Sequence, residues 1–470
     1  MTWAHACILN EIYCMETRVL IVGGGAAGVA CAWTLSQHAA ACKEGRMHVS
    51  LWEASDALGG VATSAKLPSG QWINNQVQGG ADSYHNTLEW LKTFGITPRP
   101  VSLKICFGSG DRQWSNFAPP SGLMKSLAPE IARLGRELRA VSRIAGMLTT
   151  ISEFLRKRGF PESMRTHVVV PLVSLFLGTG DQAANVPVFI VSQLFFHPEL
   201  RLFPFSDRRL VEDSPAMFAF PNLQRMYADI ATQSLQDVDV RLGCRVTRVV
   251  RTRDKVVVFN SQGTRGTFDK IVFACPADAA LRALKAPTWL ERLLLPRVQY
   301  YEDLAVTHTD RKYLSALFGK TDTVKGANYF VHVRSSDAGA EMSFNLGAYQ
   351  PGARGVFQTY FLDAGKEAAW TEGDLRPDKV CLRQWLRQFA HNRRHFLSWV
   401  PFSRLIQNSM GNTWYCGSHL LFNTHEMAIL SGIAVATELG AEYPFPHHSK
   451  ALALFNLFAS AVGCGRVPRR

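Results

Sequence analysis

The chain has 470 residues, a formal net charge of +13, 47% hydrophobic residues and 19% charged residues. This balance excludes an intrinsically disordered chain, and the length indicates two or three lobes rather than one simple core. The sequence has no stretch of about 18 uninterrupted apolar residues, so no membrane span is predicted. It also has no nucleic-acid-binding motif that would account for the positive charge. The charge therefore indicates a basic surface or attraction to anionic ligands and lipids.

The ten cysteines form neither a CxxC motif nor a spaced Cys/His cluster. The sequence therefore predicts no metal site and no disulfide framework. Residues 1–14 lack the pattern of a signal peptide and are expected to be an extension that contributes little, with either Met1 or Met15 as the start. We expect a cytoplasmic protein, and peripheral contact with an intracellular membrane stays open.

The first predicted elements are a buried strand at residues 18–22 and a helix at residues 26–37, joined by a GxGxxG turn. In such a turn Gly23 permits the tight bend, Gly25 lets backbone approach a pyrophosphate, and Gly28 lets the helix pack on the strand. Ala27 lies at the helix N-terminus, where free N–H groups and the helix dipole attract phosphate. The pattern predicts a dinucleotide site, with a glycine turn in another α/β fold as the alternative.

A second predicted strand, at residues 48–52, ends at Glu53, and Ala54 follows it. An acidic residue at this place can accept hydrogen bonds from a ribose. The chain then reads Leu58-Gly59-Gly60-Val61, and a further glycine pair lies in Gln78-Gly79-Gly80.

Together these motifs resemble the flavin-containing amine oxidoreductase superfamily, which includes monoamine oxidases, phytoene desaturases and protoporphyrinogen oxidases. The resemblance implies that Gly59 and Gly60 lie beside the diphosphate and ribityl chain of FAD. It also implies that Gln78, Gly79 and Gly80 bring backbone close to the isoalloxazine, with a plain loop as the alternative. Val61 stands where the family often has Arg, so one cationic contact is missing or supplied elsewhere.

Residues 121–160 have a helical period and many arginines, and Pro161 ends the stretch. An ordinary solvated helix face is expected, and contact with an anionic membrane surface is the alternative. The resemblance makes this region the helical substrate lobe.

Strands are predicted between residues 237 and 273, and the resemblance places Val246 against the adenine and Ala274 in a loop on the diphosphate side. Residues 300–307, 329–333 and 357–362 alternate as strands do. Residues 380–396 are predicted as a basic helix, because Leu382, Trp385, Leu386 and Phe389 recur at helical spacing.

Residues 413–418 predict a strand that ends in a glycine turn, and a helix opens near residue 424. This block resembles the C-terminal FAD motif of the superfamily, closest to the predicted FAD-binding amine-oxidase-like branch. By resemblance Gly417 and Ser418 approach the ribityl-phosphate, while Glu426 and Met427 bring helix N–H groups to the flavin pyrimidine edge. Residues 401–410 contain no Cys, which predicts non-covalent FAD.

We therefore expect an α/β fold with a Rossmann-type, glutathione-reductase-like FAD-binding domain that is interrupted by a mixed α+β substrate domain with a helical lobe. Residues 15–85, 236–285 and 405–441 are assigned to the first domain, and residues 86–235 and 286–404 to the second. Residues 442–470 form a tail, either a docked helix or an amphipathic anchor.

The expected function is FAD-dependent hydride transfer from a hydrophobic or natural-product-like small molecule, such as a tailoring desaturation in secondary metabolism. Alternatives are a double-bond isomerase of an unsaturated lipid, a non-enzymatic FAD-bound lipid or interaction protein, and a nicotinamide-only dehydrogenase. No catalytic residue is identified. Trp414, Tyr415 and Phe422 are candidate aromatic contacts or core residues, and His425 is a candidate acid/base or a polar contact at a helix start.

Overall fold

The computed structural model describes residues 16–41, 47–178, 180–334 and 340–465. The expectations for residues 1–15, for Cys42 and for the arginines among residues 466–470 lie outside these described residues.

The strands, in chain order, are β1 (Thr17–Val22), β2 (Met47–Trp52), β3 (Ser64–Lys66), β4 (Trp72–Asn74), β5 (Gly79–Ala81), β6 (Arg99–Ser102), β7 (Ile105–Phe107), β8 (Trp114–Ser115), β9 (Phe205–Ser206), β10 (Leu210–Val211), β11 (Ala216–Ala219), β12 (Asp239–Arg241), β13 (Val246–Arg251), β14 (Val256–Asn260), β15 (Arg265–Phe268), β16 (Lys270–Phe273), β17 (Tyr300–His308), β18 (Tyr329–Val333), β19 (Ala340–Asn345), β20 (Phe357–Phe361), β21 (Val380–Phe389) and β22 (Thr413–Tyr415).

The helices, in chain order, are α1 (Ala26–Ala41), α2 (His85–Thr93), α3 (Gly122–Ser126), α4 (Ala128–Arg139), α5 (Arg143–Leu148), α6 (Ile151–Lys157), α7 (Glu162–Met164), α8 (Val170–Leu177), α9 (Val188–Phe196), α10 (Leu223–Ser234), α11 (Ala277–Ala283), α12 (Trp289–Leu294), α13 (Arg311–Phe318), α14 (Asp322–Gly326), α15 (Leu346–Tyr349), α16 (Arg393–Ser398), α17 (His425–Glu438) and α18 (Ser449–Val462). A 3₁₀ helix at Ser403–Ile406 follows α16.

A five-stranded sheet in the order β12-β2-β1-β16-β22 forms the centre of the half in which the sequence predicts the dinucleotide site. Its pairings are all parallel, so the carboxyl ends of the strands meet at one edge, where ligands bind in open α/β sheets. The apolar run of β1 is buried because helices cover the sheet. The expected Rossmann-type sheet is confirmed.

Helices α1 and α17 pack closely beside this sheet, although α17 follows α1 by almost 400 residues. A Cβ added at Gly432 of α17 would lie 2.1 Å from the carbonyl oxygen of Ala27. The glycine of the C-terminal motif therefore brings the last part of the chain against the first dinucleotide helix.

A seven-stranded mixed sheet in the order β21-β17-β20-β19-β18-β7-β8 forms the other half. The strands predicted near residues 300, 329 and 357 are confirmed as β17, β18 and β20. A smaller sheet, β5-β11-β6, connects the Gln78-Gly79-Gly80 segment to this half.

The helix predicted at residues 380–396 is wrong, because residues 380–389 form the edge strand β21 and only Arg393–Ser398 is helical. The helical spacing of the apolar residues hides an alternation in which Arg383, Trp385 and Arg387 are exposed and Leu386 is buried. Long antiparallel pairing with β17 decides the conformation, as tertiary context does for ambiguous apolar patterns.

The helical lobe expected at residues 121–160 is confirmed as α3 to α6. The C-terminal segment forms α18, whose Leu454, Phe455 and Phe458 are buried against α2 and α17, so it is docked. Among the described helices, none has the length and apolar character that crossing a bilayer requires. Within the same residues, no group of His, Cys, Asp or Glu side chains is arranged to hold a metal ion.

Candidate functional site

A cavity of about 700 Å³ extends from the carboxyl edge of the five-stranded sheet to the inner face of the seven-stranded sheet. Its size is within the range of small-molecule and cofactor sites. At one end the walls are glycine-rich backbone, and at the other they are aromatic side chains. The cavity therefore has two chemically different halves.

The glycine-rich end is built by the turn after β1 and by the segment after β2. The Gly59 N–H donates to the carbonyl oxygen of Gly24 at 2.8 Å, and a Cβ on Gly60 would lie 3.0 Å from the Cα of Gly25. Gly25, Gly59 and Gly60 all line the cavity. This wall without side chains, at the N-terminus of α1, fits a dinucleotide diphosphate.

Gly23 and Gly28 have different roles in this turn. Gly23 has a φ of +111°, and a Cβ there would lie 2.6 Å from the carbonyl oxygen of Ala274. Gly28 does not line the cavity. A Cβ on Gly28 would lie 1.9 Å from the carbonyl oxygen of Gly23. Gly28 therefore serves helix packing, as the motif predicts, and contributes no wall to the site.

Glu53 lies at the end of β2 and lines the cavity together with Ala54. Its carboxylate accepts hydrogen bonds from the Gly24 N–H at 2.5 Å and from the N–H and hydroxyl of Ser55 at 2.8 and 2.7 Å. The side chain is therefore fixed beside the glycine turn, where a carboxylate has further lone pairs for a ribose hydroxyl.

Val61 lines the cavity with an exposed side chain, and positive charge comes from other positions. Arg245, Arg282 and Arg387 also line the cavity. Arg282 and Arg387 share the Asp278 carboxylate, so these groups carry a net positive charge. The cations that line the cavity therefore come from α11, from β21 and from the residue before β13 rather than from position 61.

Gln78, Gly79 and Gly80 line the cavity where β5 pairs with β11. A Cβ on Gly79 would lie 1.9 Å from the carbonyl oxygen of Phe218, and one on Gly80 would lie 2.5 Å from the ring of Tyr84. Both glycines are therefore required by packing. Val246 and Ala274 line the cavity too.

Gly417 and Ser418 line the cavity after β22. The Gly417 N–H donates to the Ser431 hydroxyl at 2.8 Å, and the ring of His419 occupies the space of a Cβ on Gly417, 2.6 Å from that position. The turn therefore depends on the Ser431 side chain in α17, which belongs to the same sequence block.

Glu426 and Met427 do not line the cavity. The Glu426 carboxylate accepts hydrogen bonds from the backbone N–H groups of Asn86 and Thr87 at 2.8 and 2.7 Å, and so caps α2. Burial raises the pKa of this carboxyl group. The Met427 N–H donates to the Thr424 hydroxyl at 3.1 Å. The Glu426 side chain therefore joins α17 to α2, while Ala428 of α17 lines the cavity.

His425 lines the cavity, but protein groups engage both of its ring nitrogens. Nε2 lies 2.6 Å from the Tyr227 hydroxyl and Nδ1 lies 3.3 Å from the Thr87 hydroxyl. Burial lowers the pKa of His425 to about 3. This geometry makes it a neutral group that joins α2, α10 and α17, rather than an acid/base.

We expect stability to fall as the pH is lowered from about 6.5 to 5, because buried neutral histidines must be protonated in the unfolded state. Their folded-state pKa values are depressed by burial; these residues are His308, His391, His395, His419 and His425. The free energy of unfolding is highest above the pKa of histidine in the unfolded state. Below that pKa it falls by up to about 1.4 kcal/mol per pH unit for each histidine. Thermal midpoints followed by circular dichroism across this range test it. A flat profile would contradict the prediction.

The aromatic half of the cavity is formed mainly by the seven-stranded sheet and the C-terminal end of α8. The apolar and aromatic side chains that line it are Leu103, Leu175, Phe176, Leu177, Leu202, Phe203, Met217, Tyr329, Met342, Phe344, Tyr349, Tyr360, Leu386 and Phe389. Burial raises the pKa of the Tyr329, Tyr349 and Tyr360 phenols, so they stay neutral. Among the described residues, Glu53 is the one carboxylate that lines the cavity, and no Lys lines it.

One polar edge interrupts this apolar half, and sequence reasoning missed it. Gln388 and Asn423 line the cavity, and the Asn423 side-chain amide donates to Gln388 Oε1 at 3.0 Å. Gln388 Nε2 donates in turn to the buried Asp303 carboxylate at 2.7 Å. The alternation of β21 would have revealed Gln388, but the residues of that strand were predicted as a helix.

The other aromatic candidates lie in packed surroundings outside this cavity. Tyr415 donates to the Glu291 carboxylate at 2.7 Å, Trp414 lies in β22, and the ring of Phe422 packs against His391 and Phe396. They are core residues.

Comparison with known proteins matches residues 26–440 to the family described as flavin containing amine oxidoreductase. A comparison with curated protein sequences found no match. Solved structures with a similar fold include a CLA-producing fatty acid isomerase from P. acnes, with 15% identity, 90% of this chain and 99% of that chain covered, and a TM-score of 0.64.

A variant of putrescine oxidase is also similar, with 12% identity, 90% of this chain and 99% of that chain covered, and a TM-score of 0.65. Cyclohexylamine oxidase from Brevibacterium oxydans has 14% identity, the same coverage and a TM-score of 0.60. At these identities the likenesses show the fold.

Proposed function

This chain belongs to the family of flavin-containing amine oxidoreductases and is an FAD-dependent oxidoreductase, and from that premise we propose that it takes a hydride from an uncharged, hydrophobic small molecule. One observation carries this proposal: the half of the cavity away from the glycine turn is aromatic and contains no carboxylate among the described residues. An ammonium substrate would lose its hydration there without a compensating anion.

The residues of the glycine-rich half are those that we propose to hold the cofactor without a covalent bond. Gly25 and the N-terminus of α1 would face the diphosphate, Glu53 the ribose, and Val246 the adenine. The bound FAD supplies a hydride acceptor, and the protein supplies orientation and electrostatics.

In the aromatic half, the neutral tyrosines and the apolar side chains exclude water from the substrate. Gln388 and Asn423 present an amide pair to the cavity, and Asp303 fixes the Gln388 side chain through its Nε2 hydrogen bond. We propose that this pair orients one polar group of an otherwise apolar substrate. A desaturation in a biosynthetic pathway would suit such a site.

Anaerobic mixing of the holoenzyme with candidate substrates tests the proposal. We expect uncharged unsaturated lipids or polyketides to bleach the visible flavin absorbance, whereas protonated aliphatic diamines leave it unchanged. The reverse pattern, with bleaching by diamines alone, would overturn the proposed substrate class. For a substrate that bleaches the flavin, the release of hydrogen peroxide in air measures whether oxygen reoxidises the reduced flavin.

A second candidate is an FAD-dependent double-bond isomerase. A fatty acid isomerase is among the proteins of similar fold, and the apolar half of the cavity is compatible with the hydrocarbon chain of an unsaturated lipid. An isomerase would convert its substrate with no net flavin bleaching, no peroxide and no need for an electron acceptor. Product analysis after anaerobic incubation separates the two functions.

We also propose a reducing compartment, because every described cysteine is free and disulfides are rare in such compartments.

A further inference from the structure

Exposed apolar side chains are concentrated on three short helical segments outside the cavity. They are Ile144 and Leu148 of α5, Trp289 and Leu293 of α12, and Phe402 and Leu405 beside α16. Ile144 is 78% exposed and Trp289 is 68% exposed. Each pair is spaced by three or four residues, so its members lie on the same side of a helical turn. We refer to these six side chains as the apolar face.

The three segments are neighbours in the fold. Arg393 Nη1 of α16 donates to the carbonyl oxygen of Leu148 at 3.2 Å, and Arg394 Nη2 donates to the carbonyl oxygen of Pro296, just after α12, at 3.1 Å. Helix α12 also contacts the 3₁₀ helix that contains Leu405. The three segments that carry the six exposed side chains therefore adjoin one another.

The charges on these segments are positive. Arg143, Arg292, Arg393, Arg394 and Arg404 are exposed. The acidic residue of α12, Glu291, is buried in an ion pair with Arg251, and Glu153 of the neighbouring α6 lies 3.7 Å from Arg393. Exposed cations consequently surround the apolar face with little compensating negative charge.

We propose that the apolar face docks the protein on the surface of a bilayer that contains anionic lipids. Large exposed apolar side chains in one region mark an interaction site. Trp, Leu and Ile beside arginines, which extend their charged ends toward headgroups, are the composition of interfacial membrane helices. Anionic lipid headgroups complement the charge of this surface, and a docked protein needs no membrane-spanning helix.

The proposal differs from both expectations drawn from the sequence. The C-terminal tail is docked as α18, and two arginines of α4 are engaged in ion pairs, Arg133 with Glu130 and Arg139 with Asp207. The apolar face instead includes residues that follow β21 and α16 in the chain, and β21 ends with the cavity-lining Gln388 and Phe389.

Sedimentation of the FAD-loaded protein with vesicles tests the proposal. We expect binding to vesicles of phosphatidylcholine with phosphatidylglycerol, weak binding to phosphatidylcholine alone, and loss of binding at high salt. The double variant Trp289→Ser/Leu293→Ser should bind roughly tenfold or more weakly, and Arg143→Gln/Arg292→Gln should lose the preference for anionic vesicles. All variants should keep the flavin spectrum and the thermal midpoint of the unmodified protein.

Matched controls come from exposed residues elsewhere. Trp72→Ser/Leu242→Ser removes side chains of comparable exposure, 45% and 43%, and Arg253→Gln/Arg265→Gln removes two exposed cations; neither should change binding. Equal binding by test and control variants would overturn the proposal, as would absence of binding. A dimer detected by light scattering that dissociates in Trp289→Ser/Leu293→Ser would also overturn it and identify the face as a contact between two copies.

Discussion

Gly25→Ala is expected to remove FAD from the protein while leaving the polypeptide folded. A Cβ at this position would lie 3.8 Å from the Cα of Gly60 and 4.0 Å from the carbonyl oxygen of Gly59, which are ordinary contacts, and Gly25 has no left-handed φ. The added methyl therefore meets no protein atom that must move. It lies instead at the cavity wall beside the N-terminus of α1, where we place the diphosphate.

The expected loss of FAD affinity is at least about tenfold, or about 1.4 kcal/mol. It is measured by the flavin-to-protein absorbance ratio after purification and by titrating the apoprotein with FAD. Thermal unfolding of the two apoproteins should agree, because the change acts on binding rather than on packing.

Two other glycine substitutions separate binding from folding. Gly28→Ala should unfold or aggregate the protein, because its Cβ would lie 1.9 Å from the carbonyl oxygen of Gly23. Gly122→Ala should change neither property, since a Cβ there has no neighbour within 4 Å. If Gly25→Ala retained stoichiometric FAD with unchanged affinity, the assignment of this wall to the diphosphate would be wrong.

The predictions that the structure confirms depend on short stretches of chain. The strand before Gly23, the GxGxxG turn and the glycine turn at Gly417 are local patterns in which each residue type has its own geometric reason. Their meeting at one sheet edge follows from the rule that parallel strands present their carboxyl ends together. The nucleotide-binding half was therefore predictable from the sequence.

The aromatic half was less predictable because pairing between strands that are distant in sequence determines which of its residues face the cavity. Leu382, Trp385, Leu386 and Phe389 have helical spacing, yet pairing with β17 makes this stretch a strand. The same error concealed Gln388. Whether a short apolar run becomes helix or strand is decided by its partner rather than by its own period.

The hydrogen-bond partners of buried polar groups could not be predicted from the sequence either. The resemblance implies that backbone N–H groups at the helix start near Glu426 approach the flavin, which stays a prediction, whereas the Glu426 carboxylate caps α2 through Asn86 and Thr87. A carboxylate at a helix start can face a ligand or another helix, and the neighbour that decides lies about 340 residues away along the chain. Only the tertiary structure brings that second helix to the carboxylate.

Arg251→Met is expected to destabilise the protein by about 3–5 kcal/mol, the range for breaking a buried ion pair. The side chains of Arg251 and Glu291 are 2% and 0% exposed, with Nη2 and Oε2 2.6 Å apart. Arg251 also donates to the Thr413 hydroxyl at 3.0 Å, and Tyr415 donates to Glu291. The pair therefore ties β13 and α12 to β22, the edge strand of the five-stranded sheet.

The sign of the pH effect follows from the pKa of Glu291, which the Arg251 guanidinium and the other donors hold at about 2 against the opposing effect of burial. A depressed folded-state pKa contributes stability above the unfolded value near 4.5, and this contribution is lost as the pH falls toward 2. In Arg251→Met the carboxylate is buried without its cation, so the variant should lose most stability at neutral pH. The difference from the unmodified protein should narrow on acidification.

The double variant Arg251→Met/Glu291→Leu distinguishes loss of an attraction from the presence of an uncompensated charge. Because replacing both partners by apolar groups removes the desolvation cost of each, the double variant should recover most of the stability that the single variant loses. Urea unfolding, monitored by tryptophan fluorescence, gives the free energy of unfolding of the unmodified protein and the two variants. A double variant as unstable as Arg251→Met would show that the hydrogen bonds to Thr413 and Tyr415, rather than the buried charges, hold this junction. In that case the pH dependence of Arg251→Met should match that of the unmodified protein, so the two measurements test the same explanation independently.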